Sequence, residues 1–269
     1  MEFGICLQSV VAVRSDPSHK SEMVTQLLFG ELFRVRSKDS KWLRIELAYD
    51  DYKGWILAGQ SFPLEEPEFL RLLNAETQTS LDLVQLLTNE TQQSVMPLIL
   101  GSSLPGIDGQ RFLVGDTAFS FDGLISDTST LEKSVTIRER QISRQSIIDD
   151  AMLYLNAPYL WGGRTPFGID CSGFVQMVYK LKKIKLLRDA SQQAMHGEPL
   201  NFVSEAEPGD LAFFDNEEGN ITHVGLMMDN HRIIHASGNV HIDPIDHQGI
   251  YSEREKRYTH KLRVIKRIF

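Results

Sequence analysis

Positions 1–60 alternate apolar and polar residues in short runs. Val10-Val11-Ala12-Val13-Arg14 reads as a strand and Ser15-Asp16-Pro17-Ser18 as a turn. Leu27-Leu28-Phe29-Gly30-Glu31 leads into Leu32-Phe33-Arg34-Val35-Arg36, and Trp42-Leu43-Arg44-Ile45-Glu46 and Lys53-Gly54-Trp55-Ile56-Leu57 keep the same period of two. Five short strands at close spacing predict a small β-barrel over 1–60. From 61 to 126 the pattern is weaker. Ser80–Leu87 fits strand or helix, Met96–Ser102 a strand entering a turn, and Arg111–Gly115 and Ala118–Phe121 two further strands. This segment predicts a second, divergent β domain or an irregular extension of the first.

A polar, charged stretch over 127–142 predicts a linker. Ser143 is a candidate N-cap for a helix with Ile147, Ile148, Ala151, Met152 and Leu155 on one face and Asp149 and Asp150 on the other. A loop rich in glycine then runs into Cys171. After it Phe174, Val175, Val178 and Leu181 recur at helical spacing, so Cys171 falls in the first turn of a second helix, expected to pack beside the first. Leu187–Gln193 predicts a loop entering a short helix, and Leu211–Phe214 a buried strand. Ile221–Met228 and Arg232–Ser237 read as a hairpin around Asp229-Asn230-His231, and Leu262–Ile268 as a last strand. The fold class expected for the whole is α+β.

A length of 269 residues predicts two or three domains. Hydrophobic residues make up 42% and charged residues 24%, an ordinary globular balance. The net charge of −8 argues against nucleic acid or an anionic membrane as the main partner. Cys6 and Cys171 are the only cysteines, which excludes a disulfide framework and a four-cysteine zinc site. Met1–Cys6 carries an acid and no basic residue, and the apolar run near Val10–Val13 is short. These features predict no signal peptide, no membrane span and a cytoplasmic protein.

A nucleophilic cysteine needs a base in reach, and the base needs a group to orient it. At a helix start, free backbone N–H groups and the helix dipole favour a thiolate at Cys171. If Asp229-Asn230-His231 is a three-residue loop, Gly225 lies opposite His235 and leaves room for its ring. His223 then shares a face with His235 as a diagonal neighbour at roughly 7 Å. Each residue alone reads more readily as core packing; together they read as a nucleophile, a base and an orienter. Zinc is the other reading of two histidines and a cysteine, but Cys171 lacks the close-spaced partner cysteine usual in such sites. No metal and no organic cofactor are expected.

Several stretches carry a family resemblance: Pro158-Tyr159-Leu160-Trp161-Gly162-Gly163, Asp170-Cys171-Ser172-Gly173-Phe174-Val175, Pro208-Gly209-Asp210-Leu211, His223-Val224-Gly225 and Ile234-His235-Ala236. Residues 143–269 resemble the NlpC/P60 peptidases, papain-like cysteine peptidases of bacterial cell-wall peptides. The resemblance implies Cys171 as nucleophile, His223 as base, His235 as its orienter, and Tyr159 near the oxyanion hole. The order Arg-Ser-x-Pro, Gly-Glu, Trp-Leu-Arg-Ile and Gly-Trp-Ile resembles a bacterial SH3-like domain over 1–60, with a divergent second one over 61–126.

This pairing resembles one subgroup most, the γ-D-glutamyl-L-diamino acid endopeptidases of the dipeptidyl-peptidase VI type. The resemblance implies hydrolysis of the γ-D-glutamyl–diamino acid bond in murein tripeptides or tetrapeptides with a free N-terminal L-Ala, for cell-wall peptide recycling. It implies Asp170, Glu31 and Tyr52 around the substrate amine. Ser172 and Ser191 become candidates for the peptide backbone or γ-glutamyl carboxylate, or else helix caps, and Trp161 a substrate wall or a core residue. Two other readings are a non-catalytic binder of wall fragments and a secreted lytic endopeptidase on intact wall. Lysine and diaminopimelate stay open as the diamino acid.

Overall fold

The computed structural model describes residues 2–126 and 143–269; the linker expected over 127–142 lies outside the described residues. The chain divides into two compact units, 1–130 and 131–269.

In the N-terminal unit the alternating runs form one antiparallel sheet of seven strands. Its spatial order is Met23–Leu28, Val10–Arg14, Lys53–Leu57, Trp42–Leu47, Leu32–Asp39, Glu2–Ile5 and Phe62–Leu64. The period of two buries Val11, Val13, Leu43, Ile45 and Ile56 with Leu27, Phe33 and Cys6 in one core. Cys6 is a small hydrophobe there, its thiol pushed up to about 12 by burial. Phe62–Leu64 pairs with Glu2–Ile5, so the first sheet runs past position 60.

The segment beyond it contains a helix, Glu66–Asn74, absent from the sequence expectations. A second sheet orders Ser94–Ile99, Val84–Asn89, Thr117–Phe121 and Arg111–Val114, and Thr77–Thr79 pairs with Ser103–Pro105. Phe69, Leu87, Leu98, Phe112 and Phe119 pack in a single cluster with Phe3, Ile5 and Leu32 of the first sheet and Phe29 of the turn between its strands. The two β segments therefore share a core.

In the C-terminal unit the helix Cys171–Leu181 is buried at every position, its polar Ser172, Gln176 and Lys180 included. It packs on the helix Arg144–Met152 and on the strand Ile221–Met227. Tyr154, just past the first helix, meets Phe174 edge-on at 5.8 Å between ring centres. The sheet runs Glu198–Pro199, Arg257–Arg267, Leu211–Asp215, Ile221–Met227, Arg232–Ser237 and Asn239–Pro244, with Gly249–Ser252 paired to Arg257–Arg267. Leu226 faces Ile234 and Met227 faces Ile233, the register set by a three-residue loop. Gly225 is required by close approach: a Cβ there would lie 2.6 Å from Ile233 and 2.9 Å from His235.

Candidate active site

The nucleophile is positioned by its neighbour. Asp170 is the N-cap of the helix, and its Oδ1 accepts the Gly173 N–H at 2.7 Å. Its Oδ2 accepts the Gly162 N–H at 2.8 Å, which ties the glycine loop to the helix start. A Cβ on Gly173 would lie 2.3 Å from the Gly163 carbonyl, so only glycine allows this approach. Arg188 donates to both carboxylate oxygens, Nη1 to Oδ1 at 3.0 Å and Nη2 to Oδ2 at 2.6 Å. Arg188 is 1% exposed and Asp170 6% exposed. This is a buried bidentate ion pair directly beneath the nucleophile. Ser172 is buried in the same network: its Oγ accepts from Arg188 at 2.9 Å and donates to Asp170 at 3.4 Å.

Cys171 is buried, and its sulfur lies against the backbone N–H groups of Val224 and Ser172. Burial, then the charge of Asp170, pushes its thiol up to about 11, against the opposing pull of the Val224 N–H, Arg188 and the Ser172 N–H. The thiolate expected from the helix start is thereby corrected. Desolvation and a carboxylate one residue away both favour the thiol over the thiolate there.

His223 follows on the adjacent strand. Its Nε2 lies 2.9 Å from His235 Nδ1. His235 Nε2 lies 3.4 Å from Asp243 Oδ2. Asp243 can only accept while ionised, and its carboxyl is held below the usual range: burial opposes ionisation, but the His235 hydrogen bond and the neighbouring imidazoles outweigh it. The acceptors therefore assign the protons. His235 carries one on Nε2 and accepts on Nδ1; His223 carries one on Nε2 and keeps the Nδ1 lone pair. That lone pair is the one left for the cysteine. Burial, then repulsion from His235, His260 and His241, lowers the pKa of His223 well below the ordinary imidazole value, so the ring is a neutral base. His260 stacks on His223 at 4.1 Å between ring centres and is itself pushed down to about 4, chiefly by burial.

Tyr159 is half-buried, and its phenol is pushed up to about 12 by burial and then by the nearby Cys171 and Asp170. It remains a hydrogen-bond donor at every working pH. Trp161 is 59% exposed, which makes it a surface residue and not core. Ser191 is exposed in the short helix Ala190–Gln193, whose N-cap is Asp189. Glu31 and Tyr52 belong to the N-terminal unit. Glu31 is buried and accepts the Leu28 N–H at 3.0 Å within its turn. The Tyr52 N–H donates to Asp50 at 3.2 Å. Sequence reasoning missed Arg188, Asp243, His241 and His260. His241 and Asp243 carried a usable signal, since two polar groups two residues apart in Val240-His241-Ile242-Asp243 share one face of a strand.

Residues 156–262 match the NlpC/P60 family, and residues 13–60 match the bacterial dipeptidyl-peptidase SH3 domain. The chain is 27% identical over 261 residues to the γ-D-glutamyl-L-lysine dipeptidyl-peptidase of Bacillus subtilis (strain 168), covering 87% of this chain and 74% of that protein. It is 25% identical over 261 residues to dipeptidyl-peptidase 6 of Lysinibacillus sphaericus, covering 91% and 92%. An NlpC/P60 family protein from Bacillus cereus has the same fold, with a TM-score of 0.79 at 19% identity over 98% of this chain and 99% of that one. Residues 156–262 thus form an NlpC/P60 domain and residues 13–60 a bacterial SH3 domain, and the chain is a cysteine peptidase.

Proposed function

We propose that the protein hydrolyses the γ-D-glutamyl–diamino acid bond of peptidoglycan stem peptides that begin with a free L-Ala, releasing the dipeptide L-Ala-γ-D-Glu in the cytoplasm. The single observation behind this reading is the hydrogen-bonded run from His223 through His235 to Asp243 beside the helix-start Cys171. The naming of the B. subtilis relative as a γ-D-glutamyl-L-lysine dipeptidyl-peptidase supports the substrate class.

The chemistry follows from the protonation states. The thiol and imidazole are both neutral at rest, so proton transfer from Cys171 to His223 Nδ1 accompanies attack on the γ-carbonyl. The C–S bond forms as the carbonyl electron pair moves to oxygen, to which the Tyr159 O–H is assigned as donor. Collapse of this intermediate expels the amine of the diamino acid, which takes the proton from His223. Water, deprotonated by His223, then cleaves the thioester. Throughout, His235 holds the His223 ring in the tautomer that accepts on Nδ1, and Asp243 holds His235. Because Asp170 is already paired with Arg188, any part it takes in binding the substrate amine is shared with that cation.

Mass spectrometry of L-Ala-γ-D-Glu-L-Lys and of its diaminopimelate counterpart, incubated with the protein, tests the proposal. The expected products are L-Ala-γ-D-Glu and the free diamino acid, with N-acetylated peptides resistant. Absence of cleavage by wild type, or undiminished cleavage by Cys171→Ala, would overturn it.

A further inference from the structure

His235 and His241 face each other across adjacent strands, and Asp243 lies two residues beyond His241 on the same face. We propose that these three residues form an inhibitory site for a divalent transition metal of the zinc type. The proposal rests on the histidine relay described above and not on the identity of the substrate.

The donor set is two imidazoles and a carboxylate, all of whose ligating atoms lie within 4.8 Å of one another. Zinc with bonds near 2.1 Å in tetrahedral geometry needs donors roughly 3.4 Å apart. Asp243 Oδ2 is 3.4 Å from His235 Nε2 and 3.1 Å from His241 Nε2, so two separations already fit. The third separation, between the two imidazole nitrogens, lies within the same 4.8 Å. The His241 side chain is 31% exposed, which gives an ion an entry path and leaves the fourth position to water.

Orientation supports the same conclusion. His241 Nδ1 lies 2.8 Å from the Asn239 carbonyl, which can only accept. When the Nδ1–H donates to Asn239 and the ring carries one proton, Nε2 is the nitrogen open to a metal, at the place where it now hydrogen-bonds Asp243 Oδ2 at 3.1 Å. A ligating histidine characteristically donates its other N–H to a backbone carbonyl.

Occupancy has a consequence for the relay, because His235 belongs to both. In the active arrangement His235 Nε2 carries a proton toward Asp243. A metal at Nε2 displaces that proton to water. The His223 Nε2 proton then crosses the 2.9 Å hydrogen bond to His235 Nδ1, and His223 takes one proton from water on Nδ1. Protons balance: one leaves, one moves and one enters. His223 now presents an N–H where it must present a lone pair, and it can no longer accept the thiol proton. Inhibition occurs without any bond between the metal and Cys171.

The test uses the full chain, stripped with a chelator and titrated with zinc chloride by calorimetry. One zinc per chain is expected in wild type and in Cys171→Ala alike, with affinity weakened about ten-fold or more in His241→Gln and in Asp243→Asn. Two variants are named because either alone could disturb the strand; a native circular dichroism spectrum qualifies each. Nitrogen-15 NMR of labelled histidines should show both His223 and His235 changing from the Nε2–H to the Nδ1–H tautomer on zinc addition. Loss of binding in Cys171→Ala, unchanged affinity in both site variants, or unchanged tautomers overturns the proposal. None of these readouts requires turnover, so failure of the proposed peptidase activity leaves the metal test intact. If the activity is found, zinc should abolish it and chelator restore it.

Discussion

Arg188→Met removes a buried charge while keeping much of the side-chain length, and it leaves Asp170 sealed inside without its cation. Breaking a buried ion pair from one side destabilises by about 3–5 kcal/mol. The Gly162 and Gly173 N–H groups still solvate the carboxylate, which places the loss near the lower figure, about 3 kcal/mol. In a unit of this size that lowers Tm by roughly 10 °C. Hydrogen exchange read on peptides within 160–181 isolates the effect to the C-terminal unit. A second readout comes from the nucleophile. Arg188 lowers the Cys171 pKa and Asp170 raises it, so the variant should push the thiol above its value of about 11 and slow its alkylation. Adding Asp170→Asn removes the uncompensated charge while keeping a capping side chain. The double variant should regain most of the stability and alkylate faster than Arg188→Met. A loss below about 1 kcal/mol in the single variant, the range of exposed pairs, would refute the argument. So would a double variant less stable than the single.

Other outcomes follow from the same geometry. Alkylation of Cys171 should climb with pH toward about 11, because deprotonation of a raised thiol supplies the reactive form; a plateau already reached near neutral pH would instead mean a preformed thiolate. Asp243→Ala should lower kcat by about 10–100-fold with little change in KM, and Asp243→Asn should recover much of it, since an amide oxygen still accepts from His235; equal losses in both would argue against a tautomer role. Tyr159→Phe should lower kcat by about 10²-fold if its O–H meets the oxyanion, read by steady-state kinetics. Gly225→Ala should destabilise the unit by roughly 1–3 kcal/mol in urea unfolding, because its methyl group meets Ile233 and His235.

The sequence made the periodic parts legible. Val10–Arg14 and Trp42–Leu47 announce strands by alternation, and the interval from Met228 to Arg232 sets the hairpin register that places His223 beside His235. The helix Glu66–Asn74 falls between runs that predict strands and is short, although its proline at the first turn and Phe69 and Leu72 on one face fit a helix. Arg188 escaped for a different reason. Its partner Asp170 is 18 residues away, and no local pattern links an arginine in a loop to a distant N-cap. The burial that raises the Cys171 thiol is not legible from spacing: helix position can be read from it, whereas desolvation appears only when the neighbours are in place.

The Cys171–Leu181 helix, buried at each position, also divides the molecule into parts that tolerate change and parts that do not. Leu160, Trp161 and Phe167 stand out from the loop just before it, at 43%, 59% and 63% exposure. Replacing those three side chains leaves the interior filled. Randomising the helix itself would instead select for survivors of misfolding.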